Sequence, residues 1–118
     1  MAFKKKWKYQ KEFKKTNVYQ EYLILPKNKT INISIKNWEF TSRNIEGEHK
    51  TVFITDVIEV DDKKTEKTLL ISNYDTMQLI KKKLTKKIKS ANLNITRKYD
   101  DDIMENYFEL QWNTLEKR

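Results

Sequence analysis

The sequence contains no cysteine, one glycine and one proline among its 118 residues. Without cysteine there are no disulfides, thiolate metal ligands or thiol nucleophiles, and nothing indicates an oxidising compartment. A single glycine cannot build a glycine-rich phosphate-binding loop. No apolar run approaches the roughly 18 residues of a membrane-spanning helix, and no apolar segment of a signal peptide follows the basic N-terminus. We therefore expect a cytoplasmic protein that does not associate with membranes.

Catalytic patterns are also scarce. His49, the one histidine, has no triad partners in the pattern of the sequence. Two-metal hydrolysis needs carboxylates held about 4 Å apart around a cation pair. Asp61–Asp62 and Asp100–Asp102 fall in predicted turns, where aspartate is common for backbone reasons, and only Asp56, inside an apolar strand, has an unusual position. We expect no enzyme activity, no metal and no cofactor.

Positive charge, by contrast, is abundant and concentrated in two stretches. The chain carries a net charge of +8, with seven lysines and one glutamate in residues 1–15 and eight basic residues without an acid in residues 76–98. The residues between and after these stretches are net acidic. Clustering of this kind indicates a polyanionic partner more strongly than the total charge does.

The first basic stretch interleaves lysines with aromatic residues. Lysines neutralise phosphates and release counterions, and aromatic rings stack on unpaired bases. We predict that residues 1–19 form a flexible basic arm that contacts nucleic acid, the alternative being a solvated tail without a partner. The arm residues predicted to bind are Lys4, Lys5, Lys6, Trp7, Lys8 and Tyr9.

Alternation of apolar and polar residues predicts a mainly β domain over residues 20–113, followed by a C-terminal tail over residues 114–118. A short strand is predicted over residues 21–26, and residues 50–60 are apolar enough for a strand buried on both faces over part of its length. One helix lies between the third and fourth main strands. The main strands are predicted over residues 30–41, 50–60, 65–72, 93–99 and 106–112, and the helix over residues 76–90.

The predicted helix combines an apolar stripe with lysines. Asn73 or Asp75 is a candidate N-cap, and Met77, Ile80, Leu84 and Ile88 share one face at a spacing of 3.6 residues. One interpretation of the lysines is a solvated face, and the other is a phosphate-binding surface, because like charges four residues apart repel and an anion would relieve the repulsion. The helix lysines are Lys81, Lys82, Lys83, Lys86, Lys87 and Lys89.

The strand over residues 30–41 changes phase. Ile31, Ile33 and Ile35 alternate with polar residues, but the next large side chains, Trp38 and Phe40, fall in the other phase. A bulge near residues 36–37 would restore one face, and without it the two rings lie opposite the isoleucines. Aromatic residues in strands are either core residues or base-stacking residues. The candidates for stacking are Trp38, Phe40, Phe53, Tyr74, Tyr99 and Tyr107, whereas Phe108, Leu110 and Trp112 are predicted to be core.

This element order is that of the OB-fold, a five-stranded, partly open β-barrel that binds single strands and oligosaccharides. Over residues 29–110 the chain resembles small single-stranded-DNA-binding OB-fold proteins of phages and archaeal viruses or their hosts. The resemblance rests on short strand and turn motifs, and it implies an OB-like barrel without bearing on residues 1–19. These motifs are Trp38–Phe40, Phe53–Asp62, Glu66–Lys67, Ser72–Asn73 and Tyr107–Leu110.

The sequence therefore predicts a sequence-tolerant single-stranded nucleic-acid-binding protein, DNA before RNA, in which Lys36, Lys82, Lys83, Lys86 and Lys87 contact phosphates and Trp38, Phe40 and Phe53 stack bases. Replication of a virus or mobile element would fit, with the host cytoplasm as its location, and a homodimer is left open. One alternative is an interaction or inhibitor module that binds an acidic protein. Another is charge-driven binding of double-stranded DNA.

Overall fold

The computed structural model describes residues 21–45 and 47–118. It confirms a mainly β fold with a single helix in this part of the chain. The predicted binding residues of the basic arm, Lys4, Lys5, Lys6, Trp7, Lys8 and Tyr9, lie outside the described residues. The elements are β1 (Glu21–Tyr22), β2 (Thr30–Ile45), β3 (Glu48–Val60), β4 (Lys63–Ile71), α1 (Tyr74–Lys83), β5 (Ile88–Asp100) and β6 (Glu105–Lys117).

The strands form one six-stranded sheet in the order β1-β4-β3-β2-β5-β6. Among the described strands, only β1 pairs in parallel, and β2 pairs with both β3 and β5. The sheet is not closed, since among the described strands β6 pairs only with β5. The predicted strand over residues 21–26 is shorter than expected, because after Tyr22 the chain leaves β4 and crosses to β5. Leu23 N–H still donates to the Thr68 carbonyl at 2.8 Å, and Asn28 N–H donates to the Arg97 carbonyl at 2.8 Å.

One face of the sheet packs on α1 and forms the core. Ile33 and Ile35 of β2 are at most 2% exposed, as the alternation in this strand predicts. The helix contributes the predicted stripe, and Met77 and Ile80 are both buried. Val52 and Ile54 of β3 are also fully buried but lie outside this core cluster, whereas Phe53 between them belongs to it. This arrangement confirms that β3 is buried on both faces over part of its length.

A bulge in β2 explains why the alternation of apolar and polar residues changes phase along this strand. The register between β2 and β3 shifts between Lys36 and Glu39, and Asn37 adopts a positive φ of 55°. Asparagine tolerates this left-handed conformation better than most residues, so its position fits the bulge. Trp38 and Phe40 are half-buried and pack against the core cluster. The structure therefore confirms the bulge rather than the alternative with both rings on the opposite face.

The helix is shorter than the sequence predicts. It ends at Lys83, Leu84 is its C-cap, and Ile88 already begins β5 opposite Lys117. Leu84 and Ile88 are both buried, as the predicted stripe requires. The chain between them forms a turn that leads into β5, however, and not another turn of helix. The predicted helix over residues 76–90 is thus wrong beyond Lys83. The lysines that follow lie in the turn at residues 86–87 and, for Lys89, in β5.

The C-terminal strand is longer than predicted. β6 continues to Lys117 through residues for which the sequence indicates only a tail, and Leu115 packs against the core. Phe108, Leu110 and Trp112 also pack against the core, as predicted, but each is half-buried and none belongs to the buried cluster itself. The turns rich in aspartate are present as expected. Asp61 and Asp62 have φ values of 49° and 69°, and the Asp61 carboxylate accepts a hydrogen bond from Asn32 N–H at 3.0 Å.

Candidate nucleic-acid interface

The position of α1 is set by its N-terminal cap. Asn73 Oδ1 accepts hydrogen bonds from Thr76 N–H at 2.9 Å and from the Thr76 hydroxyl at 2.7 Å. The Thr76 hydroxyl oxygen in turn accepts from Phe108 N–H of β6 at 3.2 Å. Asn73 and Thr76 are buried, so this chain of hydrogen bonds connects the start of the helix to β6. It thereby determines where the lysines at the other end of α1 lie.

Six lysines lie in three consecutive segments of the chain, at and after the C-terminal end of α1. Lys81, Lys82 and Lys83 form the last turn of α1, Lys86 and Lys87 follow in the turn, and Lys89 lies in β5. All six are exposed. The favourable interaction of cations with a helix C-terminus explains the first three lysines without any ligand. Repulsion between lysines four residues apart on the helix is not present, because the helix ends before Lys86.

The end of β6 adds two more basic residues to this region. Arg118 N–H donates to the Lys87 carbonyl at 2.8 Å, and Arg118 Nε donates to the Lys86 carbonyl at 2.9 Å. Lys117 is opposite Ile88 in the β5–β6 pairing. We call the resulting surface the basic end. It comprises Lys81, Lys82, Lys83, Lys86, Lys87, Lys89, Lys117 and Arg118.

The basic end is not neutralised by nearby carboxylates. Among the described residues, the salt bridges join Lys50 to Glu48 and Lys67 to Glu21, and none involves a residue of the basic end. Glu116, next to Lys117 in β6, keeps its negative charge while its carboxylate accepts a hydrogen bond from the Ser90 hydroxyl at 2.6 Å, and it offsets one of the eight positive charges. Eight exposed cations, none of which forms a salt bridge with another described residue, give a strongly positive surface that attracts polyanions.

Phe40 links this surface to the sheet. Lys81 Nζ lies 5.2 Å from the centroid of the Phe40 ring, a cation–π distance. The ring also packs at 46° against Phe53, with centroids 5.1 Å apart. Phe53 itself is 1% exposed, so its ring is not accessible to a base and we do not retain it as a stacking residue. A base could stack on Phe40 only if Lys81 moved aside.

The other predicted residues lie at different places on the surface. Lys36 is exposed and lies opposite Ser90 of β5, close in the sheet to Lys89, while Trp38 is half-buried against the core. Tyr74 is 67% exposed, but it lies at the start of α1 and not at its basic C-terminus. Tyr99 is 38% exposed, with Lys27 Nζ 5.2 Å from its ring centroid at the far end of β5.

The structure thus brings Lys82, Lys83, Lys86 and Lys87 onto one surface, with Phe40 joined to it through Lys81. Sequence reasoning missed Lys117 and Arg118, because the final residues showed no alternation clear enough to extend the last strand. The signal that could have extended the strand was Leu115. It lies three residues after Trp112, and a bulge between the two brings their side chains to the same face of the sheet.

Comparison of the chain with protein families, curated proteins and solved structures finds no match. Within residues 21–45 and 47–118, no helix is long and apolar enough to cross a membrane. In the same part of the chain, no three histidine, cysteine, aspartate or glutamate side chains are grouped so that they could hold a metal ion.

Proposed function

We propose that this protein binds single-stranded nucleic acid, DNA before RNA, through contacts of the basic end with phosphates. The observation that supports the proposal is the convergence of exposed lysines from α1, the following turn, β5 and β6, none of which forms a salt bridge within the described residues. Lysine contacts with phosphate release counterions and supply most of the affinity of sequence-tolerant binding.

The order of the β-strands favours single-stranded over double-stranded nucleic acid as the ligand. In our proposal, β2 to β6 are an opened relative of the five-stranded OB barrel, with the helix between the third and fourth of these strands. The pairing of β2 with both β3 and β5 fits this assignment. Such barrels bind unpaired strands in preference to duplexes. Partly exposed Phe40 and Trp38 would supply stacking, in a smaller role than the lysines.

The test is a titration of tryptophan fluorescence with a single-stranded oligonucleotide at roughly 0.15 M salt. Each lysine that contacts a phosphate should contribute about fourfold in affinity under these conditions. We therefore expect the double variant Lys86→Gln/Lys87→Gln to bind roughly 15-fold more weakly than the natural sequence. The matched control is Lys27→Gln/Lys29→Gln, which removes the same charge at the far end of β5.

Equal losses for the two double variants would show that net charge, and not the basic end, determines binding. Absence of binding at low salt would refute the proposal. Competition by duplex DNA as strong as by the single strand would favour the charge-driven alternative. Binding of an acidic protein without any binding of oligonucleotides would favour the interaction module.

A further inference from the structure

A groove is lined by residues of β2, β3, β5 and β6, and its polar side chains belong to the face of the sheet opposite the core. The polar residues of these strands alternate with the buried isoleucines, so they point to this face. The groove is an open cavity of about 480 Å³, within the range of small-ligand sites. Its apolar lining consists of Ile58 and of three residues that also belong to or pack against the core, Ile35, Ala91 and Leu115. Its polar lining consists of Ser34, Glu59, Ser90, Asn92, Thr114 and Glu116.

Hydroxyl groups hold the two carboxylates of the groove. The Ser90 hydroxyl donates to Glu116 Oε1 at 2.6 Å, and the Ser34 hydroxyl donates to Glu59 Oε1 at 3.4 Å. In the described part of the chain, neither carboxylate forms a salt bridge, and the second oxygen of each accepts no hydrogen bond. Each glutamate therefore retains an oxygen that can accept a hydrogen bond from a ligand.

A network of carboxamides keeps Asn92 in a fixed orientation. Asn92 Nδ2 donates to Ser34 Oγ at 2.8 Å and to Asn32 Oδ1 at 3.0 Å. Its Oδ1 accepts from Asn32 Nδ2 at 3.0 Å and from Asn113 Nδ2 at 2.8 Å. These four contacts fix the carboxamide in one orientation, so this side of the groove is preorganised, which reduces the entropy lost on binding.

Lysines surround the groove without lining it. Lys36 lies opposite Ser90 in the β2–β5 pairing, and Lys64 lies opposite Glu59 in the β3–β4 pairing. Lys117 of the basic end follows Glu116 in β6. A polyamine would interact well with the carboxylates but would be repelled by these lysines. A ligand with both hydrogen-bond donors and negative charge fits both sets of groups.

Nucleotides with an exocyclic amino group have both properties. The N4 amino group of cytosine donates to glutamate carboxylates, and single-stranded bases are read through such edge contacts. Adenine and guanine also carry amino groups, whereas thymine does not. We propose that the groove binds an amino-bearing base of a strand whose phosphates lie on the basic end. This inference rests on the proposed function and adds a preference among bases.

The experiment compares fluorescein-labelled oligo-dC and oligo-dT of equal length by fluorescence anisotropy at neutral pH. We expect the natural sequence to bind oligo-dC at least about fivefold more tightly. In the double variant Glu59→Gln/Glu116→Gln, the ratio of the two affinities should fall towards one, because the contact with the amino group of cytosine is lost while the removal of negative charge acts on both oligonucleotides alike. The control is Glu109→Gln, which changes an exposed glutamate of β6 outside the groove and should leave the ratio unchanged.

A second measurement locates the contact without a substitution. In an NMR titration with free dCMP and dTMP, the side-chain amide signals of Asn92 should shift with dCMP and not with dTMP. Equal affinities for the two oligonucleotides would overturn the inference and leave the proposed function intact, whereas absence of binding by both would refute the proposed function as well. A shift of the Asn92 signals by spermine and not by dCMP would overturn the inference in favour of a cation site.

Discussion

The hydrogen bonds from Asn73 through Thr76 to Phe108 should contribute substantially to stability. Replacing Asn73 by alanine removes the acceptor of Thr76 N–H and of the Thr76 hydroxyl at the same time. Loss of an N-cap costs about 0.5–2 kcal/mol, and a buried hydroxyl left without its acceptor adds about 1 kcal/mol. We therefore expect Asn73→Ala to lower the free energy of unfolding by about 1.5–3 kcal/mol.

The assay is urea denaturation followed by circular dichroism. Thr76→Val, which keeps the shape of the side chain, should cost about 1–2 kcal/mol because it removes the acceptor for Phe108 N–H. The double variant Asn73→Ala/Thr76→Val should cost less than the sum of the single variants, since both remove the same hydroxyl–amide contact. Asn44→Ala, at an exposed position of β2, is the control and should change stability by less than about 0.5 kcal/mol.

A cost of Asn73→Ala no larger than that of this control, or full additivity of the two substitutions, would show that these hydrogen bonds do not act as one stabilising unit. Hydrogen exchange gives an independent reading. The Phe108 amide should lose protection selectively in Thr76→Val, because its acceptor is the Thr76 hydroxyl and not a strand carbonyl.

Three further predictions concern the core, the bulge and the first strand. Ile33→Ala should lower the free energy of unfolding by about 2–5 kcal/mol in the same denaturation assay, because Ile33 is 0% exposed, while Ile24→Ala at 80% exposure should have little effect. At Asn37, glycine should be tolerated and valine should cost about 1–2 kcal/mol, since φ is 55°; a tolerated valine would argue against the bulge. The hydrogen bond and charge of Lys67 lower the pKa of Glu21, so an NMR titration should show this pKa rising in Lys67→Met. Because the lowered pKa belongs to the folded state, the associated stabilisation is present above the unfolded pKa of glutamate and is lost as the pH falls through the folded value.

Much of the fold follows from the sequence, because two patterns predict which residues are buried. These patterns are the alternation of Ile31, Ile33 and Ile35 and the apolar stripe of α1. Burial alone does not determine secondary structure. Ile88 is buried as predicted, yet it lies in β5, since a four-residue spacing fits either a helix or a turn followed by a strand. The bulge at Asn37 was one of two alternatives, and the choice depends on the register with β3, a contact between strands that the sequence of β2 does not contain.

The candidate site was less accessible to sequence analysis. The lysines after α1 were recognised as a cluster, but their assembly with Lys117 and Arg118 requires the pairing of β5 with β6. The groove joins Glu59 and Glu116 from distant parts of the chain, and each resembles an ordinary solvent-facing residue of a strand. For Phe53 the sequence suggested a function that the structure removes. An aromatic residue in a strand can stack on a base only if it is exposed, and the sequence does not show that Phe53 is buried.

The salt dependence of single-stranded DNA binding is the sharpest test of phosphate binding by the basic end. For single strands, each lysine–phosphate contact contributes about 0.7 to the slope of log affinity against log salt concentration. The variant Lys82→Gln/Lys83→Gln/Lys86→Gln/Lys87→Gln should therefore have a slope shallower by about 2.8 than the natural sequence, while Lys27→Gln/Lys29→Gln should leave it unchanged. An unchanged slope in the variant with four substitutions would contradict the assignment of the basic end as the phosphate-binding surface.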